Sequence, residues 1–209
     1  MKYHFKDKLY KIIRYPITVQ NSLRAWNSAD EHILKYLDEK KINLNNIVIY
    51  NDRFGFLSTI LANHQPKTIL NFKSQEKSIY TNLKLNGLDF KSIIKINPLD
   101  KIKPACDLVL IKIPKSLDLF RLQIEQFYRA SKKGTKIICA FMTKYFSPQI
   151  LDICNEYFEI YEQSKAWKKS RLILIKNKKK KKKAKLNMKL HFQTPKYLLN
   201  TLEFFLPKK

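Results

Sequence analysis

The sequence predicts a doubly wound α/β sheet, mostly parallel with an antiparallel last strand, and three observations carry that prediction. Short β-branched apolar runs, of the kind buried on both faces of a parallel sheet, recur along the chain; residues 47–50 (IVIY) and 107–113 (DLVLIKI) are the clearest. Between them come segments whose apolar residues repeat at helical spacing, the alternation that builds a sheet covered by helices. Two final strand-like runs, residues 157–161 and 171–176, have no helix between them and close the sheet as a hairpin.

Residues 1–21 set Tyr3, Phe5, Leu9, Tyr10, Ile12 and Ile13 among basic residues and end at Tyr15-Pro16, which reads as an extended arm or an edge strand. Ser22 reads as the cap of a helix to about Lys41, with Leu23, Trp26, Ile33, Leu34 and Leu37 on its apolar face and Asp30, Glu31, Lys35 and Asp38 facing water. Residues 47–50 are the first strand. Asn51-Asp52 then supplies turn and cap chemistry, Gly55 relaxes the backbone, and Phe56, Leu57, Ile60 and Leu61 recur at helical spacing. Residues 68–72 form the second strand, Ser74 caps a helix to Asn86 that Gly87 stops, and residues 92–96 form the third strand. The connection 97–104 is too short for a full helix before the strand at 107–113. Ser116 caps a long helix to about Lys132, with Leu117, Phe120, Ile124 and Phe127 on one face and Gly134 at its end. Residues 135–142 are the fifth strand, and Ser147-Pro148 opens a helix in the favoured cap-then-proline order. A doubly wound sheet whose last strand turns antiparallel is a class I methyltransferase-like (Rossmann-like) arrangement.

The bulk numbers fit one folded body. A chain of 209 residues with 44% hydrophobic content buries an ordinary core. No stretch reads as a secretory leader or approaches a membrane span, and Cys106, Cys139 and Cys154 are isolated thiols inside apolar runs, so a soluble cytoplasmic protein is expected. The net charge of +25 invites a polyanionic partner such as RNA. Only six of the 42 basic residues are Arg, and the abundance of Lys, Ile, Asn, Phe and Tyr is also what an AT-rich genome imposes on any protein. Residues 176–209 hold twelve Lys and one acid, so the first 175 residues still carry +14. Six consecutive lysines at 178–183 mark a boundary: residues 1–177 are expected to form the domain, and residues 178–209 a Lys-rich linker and short basic helical tail.

The turn after the first strand is where such sheets take a nucleotide-like cofactor. For S-adenosylmethionine, three features are needed: a Gly-rich turn there, an acid ending the second strand for the ribose hydroxyls, and, for amino-nitrogen methylation, an Asn-Pro-Pro-aromatic turn after the fourth strand. Here the turn is NDRFG with a single glycine, the second strand ends Asn71-Phe72-Lys73, and the fourth runs into Ile113-Pro114-Lys115. Asn97-Pro98-Leu99-Asp100 imitates the third motif but precedes the fourth strand and reads as a turn. His4, His32, His64 and His191 lack metal-ligand spacing, Ser58 and Ser147 lack a nucleophile elbow, and no P-loop is present.

Five stretches together carry a resemblance: LRAWNSADEHILKYL (23–37), VIYNDRFGFLSTILANHQP (48–66), NLKLNG (82–87), LVLIKIPKSLDLF (108–120) and AWKKSRLILI (166–175). Over roughly residues 10–177 the chain resembles the N-terminal domain of the bacterial 23S rRNA guanine-N2 methyltransferase family, which is related to the small-subunit guanine-N2 enzymes. The resemblance implies two tandem methyltransferase-like domains, the first a decayed duplicate that helps position rRNA and the second the bearer of the cofactor loop and the Asn-Pro-Pro-Phe site. That second domain has no counterpart after the lysine run, and a lysine run is an adenine run prone to frame slippage, so a truncated or decaying member is expected. The expectation is therefore a non-catalytic module for 23S rRNA or the large-subunit precursor, with no cofactor of its own, although the full-length family implies S-adenosylmethionine. The alternative is an active S-adenosylmethionine-dependent rRNA methyltransferase, alone or with a separate catalytic half. The candidate RNA contacts are basic residues interleaved with aromatics: Lys165, Trp167, Lys168, Lys169 and Arg171 in one cluster, Lys112 and Lys115 at the end of the fourth strand, and Arg53 in the opening turn. Each lysine has the alternative of a solvated surface charge, and Trp167 that of a core cap.

Overall fold

The computed structural model describes residues 1–17, 23–103 and 105–177; Ser22, Pro104, the lysine run and the tail lie outside the described residues. The chain begins with a hairpin of its own. Strands β1 (Lys2–Phe5) and β2 (Lys8–Lys11) pair antiparallel, where the sequence predicted one extended arm or edge strand. Helix α1 (Ser28–Glu39) starts later than expected because Asn27 caps it, with Oδ1 accepting from the Ala29 N–H at 2.9 Å and Asp30 accepting in return from the Asn27 N–H at 2.9 Å. Asp30 and Glu31 do not face water: both are buried, Asp30 against the Lys112 ammonium at 2.9 Å and Glu31 against the Trp26 indole N–H at 2.9 Å. A carboxylate can enter the interior only with such partners, and periodicity alone does not reveal them.

Strand β3 (Ile47–Tyr50) is buried along its whole length and leads into the short helix α2 (Phe56–Ile60). Strand β4 (Lys67–Ile69) stops short of the expected residue 72, because the chain leaves the sheet to enter α3 (Lys73–Leu85); Ser74 lies inside that helix rather than capping it. After β5 (Ile94–Ile96) the Asn97–Asp100 segment is a turn, its Asn97 amide donating to Asp100 Oδ2 at 2.7 Å. Strand β6 (Cys106–Lys112) and helix α4 (Leu117–Ala130) follow, with Ser116 Oγ accepting from the Leu119 N–H at 3.2 Å as a cap should. Strand β7 (Ser131–Met142) begins four residues before the expected start. Gly134, predicted to stop α4, instead sits with φ +94° in an irregularity where Ser131 pairs with Cys106 and Lys136 with Leu108. Helix α5 (Pro148–Tyr157) has proline in its first turn as predicted, and β8 (Phe158–Gln163) and β9 (Ser170–Asn177) form the closing hairpin.

The seven-stranded sheet has the order β5-β4-β3-β6-β7-β9-β8, parallel from β5 to β7, with β9 antiparallel to both its neighbours. Alternation within β3 feeds two cores. Ile47 and Ile49 pack under α1 and α2 with Trp26, Ile33, Leu34 and Phe56, whereas Val48 and Tyr50 pack under α4 and α5 with Phe120, Ile124, Phe127 and Phe158. All three cysteines are buried and unpaired, and burial pushes the Cys106 thiol up to about 11, so it is an inert packing group. The strand order reverses between β3 and β6, which makes their carboxyl ends the topological switch point of the sheet.

Candidate functional site

The crevice at the switch point is crossed by side chains. Asn51, with φ +60°, ends β3 in the left-handed region and turns its amide toward β6. Its Nδ2 donates to the Lys112 carbonyl and to Gln123 Oε1, each at 2.8 Å, while Gln123 Nε2 donates back to Asn51 Oδ1 at 2.9 Å. On the other side Gln75 of α3 spans from the turn to the end of β4. Its Nε2 donates to the carbonyls of Asp52 and Ile69, both at 3.2 Å, and its Oε1 accepts from the Asn71 N–H at 2.9 Å. These two amides link β4, β3 and β6 across the region that an open α/β sheet leaves to a ligand.

The single glycine of the turn serves helix packing. Gly55 has φ +79°, and a Cβ built there would lie 2.6 Å from Ile79 Cγ1 and 2.9 Å from the Ile79 Cα, so the glycine lets the turn lie directly on α3. Asp52 beside it is fully buried. Its Oδ2 accepts from the Ser58 N–H at 2.7 Å and the Ser58 hydroxyl at 2.8 Å, while Oδ1 has no partner. Burial first, and then the nearby Asp30 charge, raise its pKa above the ordinary carboxylate value. Phe54 is buried, with the Arg14 and Arg53 guanidinium groups at 4.9 and 5.1 Å from its ring centroid.

On the β7 side of the Asn51 bridge the carboxyl edge is basic, and Asn51 and Lys112 themselves form part of the wall of the cavity there. Arg53, Lys115 and Tyr145 line one cavity of about 240 Å³ together with Pro114, Ala140 and Met142. The half-exposed Tyr145 ring carries the Lys144 and Lys115 ammonium groups at 4.9 and 5.2 Å from its centroid, and Lys144 foremost holds the phenol pKa below its ordinary value. Next to it stands the tip of the β8–β9 hairpin. Trp167 and Ser170 exchange two backbone hydrogen bonds around Lys168 and Lys169, whose φ values of +45° and +62° make a tight turn of the primed class. The Lys169 carbonyl accepts from the Thr143 N–H at 2.9 Å, which joins the tip to the Thr143–Tyr145 segment.

A family model described as the RLMG N-terminal domain matches residues 1–183. The chain belongs to that family. Among curated relatives, "Ribosomal RNA large subunit methyltransferase G" of Pseudoalteromonas atlantica is 36% identical over 171 residues, which are 80% of this chain and 44% of that protein. The protein of the same description from Shewanella halifaxensis is 30% identical over 168 residues, 78% of this chain and 40% of the relative. The matched part of this chain thus spans less than half the length of these two relatives. Solved structures show the fold. The glycopeptide N-methyltransferase MtfA covers 81% of this chain and 94% of its own at TM-score 0.59 and 6% identity. The ribosomal protein L11 methylase of Lactobacillus delbrueckii covers 72% and 79% at TM-score 0.58 and 13% identity. NodS of Bradyrhizobium japonicum in complex with S-adenosyl-l-homocysteine covers 75% and 89% at TM-score 0.56 and 10% identity.

The structure sorts the sequence candidates by what already holds them. Lys112 is half-buried and ion-paired with Asp30, Lys168 reaches Glu31 at 3.1 Å, and Arg171 Nε donates to the Ser164 carbonyl at 3.0 Å. Trp167 is half-buried, 5.4 Å from the His32 ring and 4.6 Å from the Lys168 ammonium, so both of its expected uses stay compatible with its position. Arg53, Lys115, Lys165 and Lys169 are exposed and have no acidic partner among the described residues. Arg14, Lys144 and Tyr145 were missed by sequence reasoning. The signal for the last two was Lys144-Tyr145-Phe146 directly after the fifth strand, a basic and aromatic pair at the carboxyl edge.

Proposed function

We propose that this chain is a non-catalytic RNA-binding domain of a large-subunit rRNA methyltransferase system, acting in the cytoplasm on 23S rRNA or its large-subunit precursor. The observation that carries the reading is a continuous basic track beside a bridged switch point. Contacts run from Lys169 through Thr143 to Lys144, Tyr145 and Lys115, across the shared cavity to Arg53, and over Phe54 to Arg14. Cations without acidic partners suit phosphate oxygens, and the interleaved rings suit unpaired bases. On this reading S-adenosylmethionine does not fit the chain. Gln75 and Asn51 occupy the gaps a cofactor would enter, and Gly55 opens onto Ile79 rather than onto a ligand. Among the described residues no helix is long and apolar enough to cross a membrane, and no cluster of metal ligands occurs.

Two measurements test the reading. A 23S rRNA fragment should bind with strong salt dependence and more tightly than a charge-matched polyanion control; failure to do so removes the RNA-binding half of the proposal. Titration calorimetry with S-adenosylmethionine should give no heat of binding, and a clear isotherm overturns the non-catalytic half. The alternative, an active S-adenosylmethionine-dependent rRNA methyltransferase working alone or with a separate catalytic half, draws on the seven-stranded order and the methyltransferase relatives, and that isotherm would favour it.

A further inference from the structure

We propose that the cavity at the carboxyl ends of β3, β6 and β7 receives one unpaired nucleotide of a single-stranded RNA segment, its base against Tyr145 and its flanking phosphates on Arg53, Lys115 and Lys144; this rests on the RNA-binding reading above. The walls divide by chemistry. Pro114, Ala140, Phe141 and Met142 give an apolar side, and Arg53 and Lys115 stand on the same cavity. At about 240 Å³ the space is below the roughly 300–1,000 Å³ of clefts that bury drug-sized ligands, a scale that suits one base. Tyr145 is 48% exposed and stands outside the hydrophobic cores, and two ammonium groups lie within 5.2 Å of its centroid. A base stacked on that ring would take the place of an ammonium over its face, and the displaced lysine would be drawn to the flanking phosphate.

Selectivity among the arginines supports the placement. Arg24, Arg121 and Arg129 pair with Glu31, Glu156 and Glu125, and Arg171 donates to a backbone carbonyl. Arg14 and Arg53 instead have no acidic partner among the described residues and lie against the Phe54 ring, at the mouth of the track. A planar guanidinium held on a ring keeps its N–H groups directed outward for a phosphate.

The test uses the full chain and a single-stranded RNA oligonucleotide carrying one 2-aminopurine, with a duplex of the same length as control. Binding should quench the 2-aminopurine. Tyr145→Ala should abolish the quenching and weaken single-strand binding about tenfold while leaving duplex binding unchanged, and Tyr145→Phe should keep both. Urea midpoints verify that both variants fold. Quenching and affinity that survive Tyr145→Ala overturn the assignment of the cavity and leave the RNA-binding reading standing. Absence of binding to either RNA overturns both. A nucleoside 5′-monophosphate that binds more tightly than the oligonucleotide overturns the single-strand assignment in favour of a free nucleotide.

Discussion

At the scale of single residues, the opening turn is held by positions with no slack. Gly55→Ala adds a methyl that meets the Ile79 backbone in a left-handed conformation, so it should destabilise by about 2–4 kcal/mol, read as a lower urea midpoint at unchanged m-value. Asp52 gives a pH dependence. A carboxyl whose pKa is raised on folding holds its proton more tightly in the folded chain. Its contribution to stability is therefore full below the unfolded carboxylate pKa and is lost as pH rises through the folded one. Asp52→Asn cannot ionise, so its stability relative to the parent should improve from the carboxylate range toward neutral pH. Parallel urea titrations across that range check the sign.

At the scale of elements, the N-terminal arm is bound by Asn82 of α3 and by Asn86, the residue that caps its C-terminus. Asn82 accepts from the Ile13 N–H at 2.9 Å and donates to the Ile13 carbonyl at 2.9 Å, and Asn86 treats Lys11 the same way at 2.9 and 2.7 Å. Each amide completes the backbone pairing of an edge that no strand covers. Asn82 also donates to the Phe54 carbonyl at 2.7 Å, so Asn82→Ala should cost about 2–3 kcal/mol and release the arm, seen as faster amide hydrogen exchange at residues 11–13. Such links explain what was legible in the sequence. Strands and helices announce themselves by period, so β3, β6, α4 and the closing hairpin lay where expected. The Asn82–Ile13 and Asp30–Lys112 contacts join residues 69 and 82 positions apart, and no local pattern encodes them. The same holds for the site. That the turn lacks a glycine-rich loop was readable from NDRFG, whereas Gln75 and Gln123 looked like ordinary helix surface.

At the scale of the whole molecule, a net charge of +25 makes affinity for any polyanion unremarkable, so the informative quantity is how binding depends on salt at named positions. Lys115 is exposed and free of acidic partners among the described residues, so Lys115→Gln should preserve the fold. It should flatten the slope of log K against log salt by about one unit, measured by fluorescence anisotropy with the rRNA fragment at several salt concentrations.

The hairpin tip joins these scales. Its Lys168 and Lys169 occupy the two positions at which a turn of this class favours Asn and Gly, and each lysine there costs the backbone about 1 kcal/mol. The variant Lys169→Gly, which leaves the Lys168–Glu31 pair in place, should therefore melt at a higher temperature than the parent while binding the rRNA fragment more weakly. One turn would then display a trade-off between stability and function, with selection for binding keeping residues that selection for folding alone would discard.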